Sequence, residues 1–361
     1  MRNKLYERWK ENIIFSAKEK RIPVAGQYEL TPRCNLDCKM CYIHNADSNA
    51  LRDKELSTEI WKRIFDEACD MGLLFATLTG GECLLRRDFK ELYLHLWKKG
   101  VRVTVFTNGT LINDDLVEFF CKYPPEIIRI SLYGSCEAAY RKVTGHDGFR
   151  KAISAYQKLK TKKISVGVAV TPSRYMKDDF INTRRFCKES GIDCPPANYF
   201  LTKNRDHPDK DDHNLSIDEI VSLATGEALL TSVVMPITDA PKPCGSCTEA
   251  PVGLNCSAGR CAAAVSWDGV MHPCVSMPEG TASLLEMSYA EAWDITKALV
   301  DKMLLGAECV GCPYDSVCPK CPVMRLTSMH SGHCNPDVCE LTRRMVTAGA
   351  RKLDHPVNTC E

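Results

Sequence analysis

The stretch Cys34-Asn35-Leu36-Asp37-Cys38-Lys39-Met40-Cys41-Tyr42 decides how the rest of the chain is read. Three cysteines separated by three and then two residues let one short loop aim three thiolates at one face of an iron-sulfur cube, leaving one iron without a protein ligand. A structural zinc site wants four closed ligands, so a zinc knuckle or a metal-free loop is the poorer reading of this spacing. Immediately upstream, Val24 to Thr31 has strand character and Pro32 ends the ladder, which puts the cysteines in the loop beyond the strand's carboxyl end.

The chain has 361 residues, 44% apolar and 26% charged, with a net charge of +1, which describes a globular protein with one large or two domains. No basic excess exists to neutralise phosphates, so neither nucleic acid nor a membrane surface is an expected partner. Met1 to Arg21 is rich in Lys, Arg and Glu and reads as a short amphipathic helix instead of a secretory signal. Cysteine is the anomaly: 21 residues without a signal peptide imply metal ligation in a reducing cytoplasm, not a disulfide framework.

Between Val24 and about Leu201, β-rich runs alternate with amphipathic helical windows, the pattern of an α/β protein with repeated βα units around a parallel sheet. Strands are expected at 74–78, 101–106, 127–132, 164–170 and 198–201, and helices beginning at Ser57, Asp88, Asn113, Phe149 and Asp179. Six such units make an incomplete (β/α)6 barrel whose strand mouths would host the chemistry. Residues 202–215 are polar and without period, and Ser216-Ile217-Asp218-Glu219 has capping-box spacing ahead of a helix to about Leu230. After Pro236 the composition changes to proline, glycine and cysteine, and 12 of the 21 cysteines lie from Cys244 onward. The expected domains are therefore an N-terminal helix (1–21), a partial barrel (22–230) and a cysteine-rich domain (231–361).

Each expected strand end offers polar groups. Thr79-Gly80-Gly81-Glu82 lets the backbone approach a ligand closely and supplies a carboxylate that can accept from an ammonium group. Thr107-Asn108-Gly109-Thr110 and Ser131 add hydrogen-bonding groups at later strand ends. A three-cysteine loop closed by Tyr42, followed at the next strand end by Gly80-Gly81-Glu82, resembles the radical S-adenosylmethionine (radical SAM) enzymes, which implies that Asn108 and Ser131 contact ribose hydroxyls and that Val170 and Tyr42 present backbone groups to adenine. The resemblance implies that Cys34, Cys38 and Cys41 hold a 4Fe-4S cluster whose fourth iron is chelated by S-adenosylmethionine. Reductive cleavage would then yield a 5'-deoxyadenosyl radical. Many family members carry an aspartate two residues after the serine, where this chain has Tyr133.

Cys309-Val310-Gly311-Cys312, five residues to Cys318, then Cys321 gives C-x2-C-x5-C-x2-C, with Cys256, Cys261 and Cys274 upstream and Cys339 downstream. This resembles the SPASM extension, which holds one or two auxiliary 4Fe-4S clusters, although the last gap is one residue shorter than usual. Carried over by motif, Cys256, Cys274 and Cys321 would serve the nearer cluster with a fourth ligand from Cys261 or Cys247. Cys309, Cys312, Cys318 and Cys339 would serve the distal one. A zinc ribbon would leave the other cysteines without a role. Cys69, Cys121 and Cys187 read as apolar packing residues, whereas Cys83 and Cys136 lie near the expected mouth, where a thiol could donate a hydrogen atom.

The resemblance implies an oxidoreductase that modifies a peptide or protein, by thioether or carbon-carbon crosslinking or by epimerisation, with a flavodoxin- or ferredoxin-type reductant. About twenty residues precede the barrel, which implies a separate peptide-recognition protein or no leader peptide. Val275 stands where sulfatase-maturing relatives carry an aspartate, which disfavours that activity. A small-molecule dehydrogenase is the alternative within the family. A non-catalytic electron-transfer or zinc-binding protein is the alternative outside it.

Overall fold

The computed structural model describes residues 4–43, 49–197, 199, 213–231, 256–277, 282–303, 312–314, 317, 318, 321 and 336–350. Contacts divide the chain into two compact units, Met1–Asn214 with Ser257–Val300, and Leu215–Cys256 with Asp301–Glu361.

The first unit opens with helix α1 (Lys4–Lys20) and strand β1 (Ala25–Glu29). After the short helix α2 (Asn49–Arg52), helices and strands alternate: α3 (Thr58–Asp70), β2 (Phe75–Thr79), α4 (Phe89–Lys98), β3 (Arg102–Thr107), α5 (Asp114–Lys122) and β4 (Ile127–Ser131). Two helices, α6 (Glu137–Thr144) and α7 (Phe149–Thr161), precede β5 (Val166–Ala169), and α8 (Lys177–Glu189) follows it. The strands β1 to β5 pair in parallel in chain order, as successive βα crossovers require. This is the partial barrel expected from the alternation of patterns.

The side-chain chemistry explains the local structure. Ser57 accepts a hydrogen bond from the Ile60 amide at 3.2 Å and Asn113 accepts from Leu116 at 2.9 Å, so both act as N-caps. Asp88 occupies the N-cap position of α4 without a side-chain cap bond, because its carboxylate is taken by Arg86 and Thr58. Tyr28 of β1 packs edge-on against Trp61 and Phe65 of α3, with ring centroids 6.3 and 5.0 Å away. Since side chains alternate along a strand, Gln27 and Glu29 point to the opposite, inner face.

The sixth parallel strand differs from expectation. Tyr199 is described and lies in no strand, and the rest of 198–201 falls outside the described residues. Instead β6 (Ala262–Val265) pairs in parallel with the other edge of β1, Ala25 opposite Ala262. The antiparallel strands β7 (Val270–His272) and β8 (Ala282–Ser283) extend the sheet to the order β5-β4-β3-β2-β1-β6-β7-β8. Residues 257–300 therefore group with the barrel although their composition resembles the cysteine-rich segment. The three successive alanines of β6 carry no alternation, so periodicity does not announce its pairing with β1. Helix α10 (Tyr289–Asp301) closes this region: the Trp293 indole donates to the Arg21 carbonyl at 2.9 Å.

In the second unit, α9 (Ile217–Thr231) begins with the expected capping box, since Ser216 N donates to Glu219 Oε2 at 2.9 Å and Glu219 N to Ser216 Oγ at 3.2 Å. Helix α11 (Pro336–Thr347) carries Cys339 in its first turns, and its Arg344 pairs with Asp218 of α9. Among the described residues no helix is long and apolar enough to cross a membrane.

Trp61 is fully buried at the centre of the β1–α3 contact. Trp61→Ala is expected to cost about 3–5 kcal/mol, read as a lower urea midpoint with an unchanged slope.

Candidate active site

The cysteine loop starts where β1 ends and is stitched to the ends of β2 and β3 and to the end of α6. Leu30 N donates to Thr79 O at 2.8 Å, Gly81 N to Thr31 O at 2.7 Å and Glu82 N to Arg33 O at 2.7 Å, so the chain before Cys34 lies directly on the Thr79–Glu82 turn. A Cβ on Gly80 would sit 2.5 Å from Thr31 O, at a φ of +136°, and one on Gly81 only 2.2 Å from Arg33 O. Both glycines are thus demanded by this close approach of backbone to backbone. On the far side of the loop, Asp37 N donates to Thr144 O at 2.9 Å and Lys39 N to Val143 O at 3.0 Å, anchoring it to the end of α6.

Glu82 joins the second and third strand ends. It is fully buried, and its carboxylate accepts from Thr107 Oγ1 at 2.8 Å, Leu84 N at 3.1 Å and Asn108 N at 2.7 Å. Burial pushes its carboxyl up to about 6, against the partial opposition of those three hydrogen bonds. The Asn108 side-chain amide donates to Asn35 Oδ1 at 2.8 Å and lies 3.9 Å from Cys34 Sγ, while Asn35 Nδ2 donates to Thr110 Oγ1 at 2.8 Å. The third strand end therefore holds the cysteine loop through paired amides.

Sequence reading missed a buried ion network beneath the loop. Arg33 forks onto Glu55 through Nε–Oε1 at 2.7 Å and Nη2–Oε2 at 3.1 Å, and Thr31 donates to the same carboxylate. Arg86 donates to the Leu30 carbonyl at 2.9 Å and the Leu56 carbonyl at 3.1 Å and pairs with Asp88. The arginine adjoining Cys34 was the available signal, but its partner lies 22 residues away in a segment without a motif.

Cys34, Cys38 and Cys41 line one small pocket together with Pro32, Leu36, Asp37, Ile43 and Gly81. Among the described residues no three His, Cys, Asp or Glu side chains are already closed to metal-ligating distances, so the thiols ring a space instead of meeting at a point. Their chemistry suits a polycationic group. Burial, then the charges of Glu82 and Cys41, push the Cys34 thiol up to about 12. Burial and the other two thiolates push Cys38 well upward. Among the described residues no Lys or Arg lines the cavity to offset three thiolates, and metal binding would supply that compensation and release the protons. The donor set and its surroundings fit an iron-sulfur cluster.

Ser131 ends β4 on the inner face, and its hydroxyl lies within reach of the Tyr133 phenol, which burial and the nearby thiols push upward. Val170 is buried just beyond β5, and Tyr42 follows Cys41 half-buried. Cys83 is fully buried with its thiol on the Phe106 carbonyl at 3.4 Å, and Cys136 is exposed at the N-cap of α6. Cys261 is buried beside Ala17 and Val24, and Cys274 is half-buried in the same unit. Cys256, Cys312, Cys318, Cys321 and Cys339 belong to the second unit, and Cys247 and Cys309 lie outside the described residues.

A parallel partial barrel whose first strand ends in a three-cysteine loop, seated on a glycine-glycine-glutamate turn, defines a class. Residues 28–187 match the Radical SAM superfamily, and the cysteine-rich segment that follows is consistent with a SPASM-type domain. The chain is 27% identical over 229 residues to the sporulation killing factor maturation protein SkfB of Bacillus subtilis, covering 62% of this chain and 55% of SkfB. It is 24% identical to the AdoMet-dependent heme synthase of Methanosarcina barkeri over 81% of this chain and 89% of that protein. The crystal structure of Streptococcus suis SuiB bound to S-adenosylmethionine has the same fold, with a TM-score of 0.68, 18% identity, and coverage of 94% of this chain and 84% of SuiB. The chain thus spans little more than half of SkfB but most of the other two.

Because Glu82 is raised above the ordinary 4.5, it favours the protonated folded state. Its contribution is complete below about pH 4.5 and is lost as pH rises through about 6. Parallel urea titrations of wild type and Glu82→Gln should show the wild type losing about 2 kcal/mol relative to the variant across that window.

Proposed function

We propose that this chain is a radical SAM oxidoreductase that modifies a peptide or protein, forming a thioether or carbon-carbon crosslink or inverting a residue. The observation that carries the proposal is the convergence of Cys34, Cys38 and Cys41 on one cavity within residues that match the superfamily. A 4Fe-4S cluster held there with S-adenosylmethionine supplies reductive cleavage of a sulfonium bond and abstraction of a hydrogen atom from the substrate.

The chain's own residues bind, orient and exclude water. Pro32, Leu36 and Ile43 give the cavity an apolar wall. Thr79, Gly80 and Gly81 hold the turn against the loop, and Glu82 carries a buried negative charge suited to an ammonium group. Asn108 and Ser131 would contact ribose, and Tyr42 and Val170 would present backbone to adenine. By motif alone, Cys256, Cys274 and Cys321, with Cys261 or Cys247, would serve one auxiliary cluster, and Cys309, Cys312, Cys318 and Cys339 the other. A flavodoxin- or ferredoxin-type reductant would deliver the electron.

The peptide reading draws on the maturation role in SkfB's name. A small-molecule substrate is the second reading, favoured by the longer match to the heme synthase. Anaerobically reconstituted protein given dithionite and S-adenosylmethionine should release 5'-deoxyadenosine, and Cys38→Ala should reduce that release at least a hundredfold, measured by liquid chromatography. Absence of the nucleoside from the wild type would leave an electron-transfer protein.

A further inference from the structure

Two thiols that the proposed iron sites do not use come together at the last turn of α8. Arg184 and Cys187 lie three residues apart on one face of α8, and both are buried, at 3% and 1% exposure. Gly191, at φ +64°, reverses the chain, and Ile192 N donates to Cys187 O at 2.8 Å, so that residues 192–195 run back along the last turn of the helix. This return brings Cys194 to the same guanidinium: Arg184 Nη1 donates to Cys194 Sγ and, at 2.7 Å, to the Pro195 carbonyl. The two thiols are themselves hydrogen-bonded, which pulls Cys187 below its ordinary range despite burial, and the charge of Arg184 adds to the effect. A thiol with a thiol partner and a buried cation is chemically unlike a packing cysteine.

The neighbouring residue leads into the barrel. Asp193 O accepts from Val168 N of β5 at 2.7 Å, and Asp193 N donates to the Tyr156 hydroxyl at 3.0 Å. Its carboxylate meets the guanidinium of Arg129, on the inner face of β4, at 3.3 Å.

We propose that Cys187 and Cys194, with Arg184, form a reversible dithiol site that exchanges with low-molecular-weight disulfides, separate from the iron-binding cysteines. Each thiol gives up its proton and one electron, and a sulfur-sulfur bond forms between Cys187 and Cys194. The incoming disulfide takes both electrons and both protons and leaves as two thiols. Closing the bond ties the Asp193 segment to α8 and so restrains the strand edge that carries the Asp193–Arg129 pair.

The test uses full-length, cluster-loaded protein treated anaerobically with glutathione disulfide, alkylated and digested with trypsin. Cleavage after Lys188 separates the two cysteines, so the internal bond appears as peptide 186–188 linked to peptide 189–203, two hydrogen atoms lighter than the reduced pair. The linked pair should form in the wild type, vanish with dithiothreitol, be absent from Cys187→Ser and Cys194→Ser, and form several-fold more slowly in Arg184→Met. Amide exchange across 166–169 and 192–193 should slow in the oxidised form. Recovery of both thiols alkylated, or of a lasting glutathione adduct on Cys194, would overturn the proposal, and unchanged exchange would overturn its coupling to β5. Release of 5'-deoxyadenosine by the reduced protein reports on the proposed enzyme activity independently.

Discussion

Everything at the mouth of this barrel rests on two glycines that allow one backbone to lie on another. Gly80 and Gly81 face the carbonyls of Thr31 and Arg33 at distances no side chain could share, and the amides of Gly81 and Glu82 then hold the chain leading into Cys34. A ligand-binding loop is normally the least constrained part of a fold. Here its first half is fixed as firmly as a strand pair, which is what a site needs if three thiolates are to keep a common focus.

Around that contact the electrostatics are arranged in two layers. Beneath the loop, Arg33, Glu55, Arg86 and Asp88 form a buried network in which each charge has a partner and the arginines also take up the carbonyls of Leu30 and Leu56. At the cavity itself the balance is one-sided: three thiols gather there with the Glu82 carboxylate acting on Cys34, and among the described residues no Lys or Arg lines the space. Leaving one of these charges unpartnered in a dry interior costs several kcal/mol, so the layer below stabilises the loop while the layer above is poised to receive positive charge.

The site also shows how much function depends on residues that do not touch the reacting groups. Asn35, Asn108 and Thr110 link the cysteine loop to the third strand end by side-chain amides, and the end of α6 holds its other side by two backbone hydrogen bonds. Four successive βα units thus contribute to the placement of one loop, and a change in any of them would be felt at the thiolates.

Sequence alone determined the elements with strong local causes. The cysteine spacing, the glycine pair, the caps at Ser57 and Asn113 and the Ser216–Glu219 box are all set within a few residues of chain, and alternation of patterns made the parallel sheet legible. Helix α6 went unread because Glu137–Thr144 is short and flanked by glycines, and β6 because Ala262–Val265 carries no alternation. Only the tertiary structure decided that Glu55 answers Arg33, that β6 completes the edge of β1, and that Cys187 meets Cys194 across the Gly191 turn. Those pairings depend on distance in space between segments that have no local reason to choose each other, and packing, not periodicity, selects them.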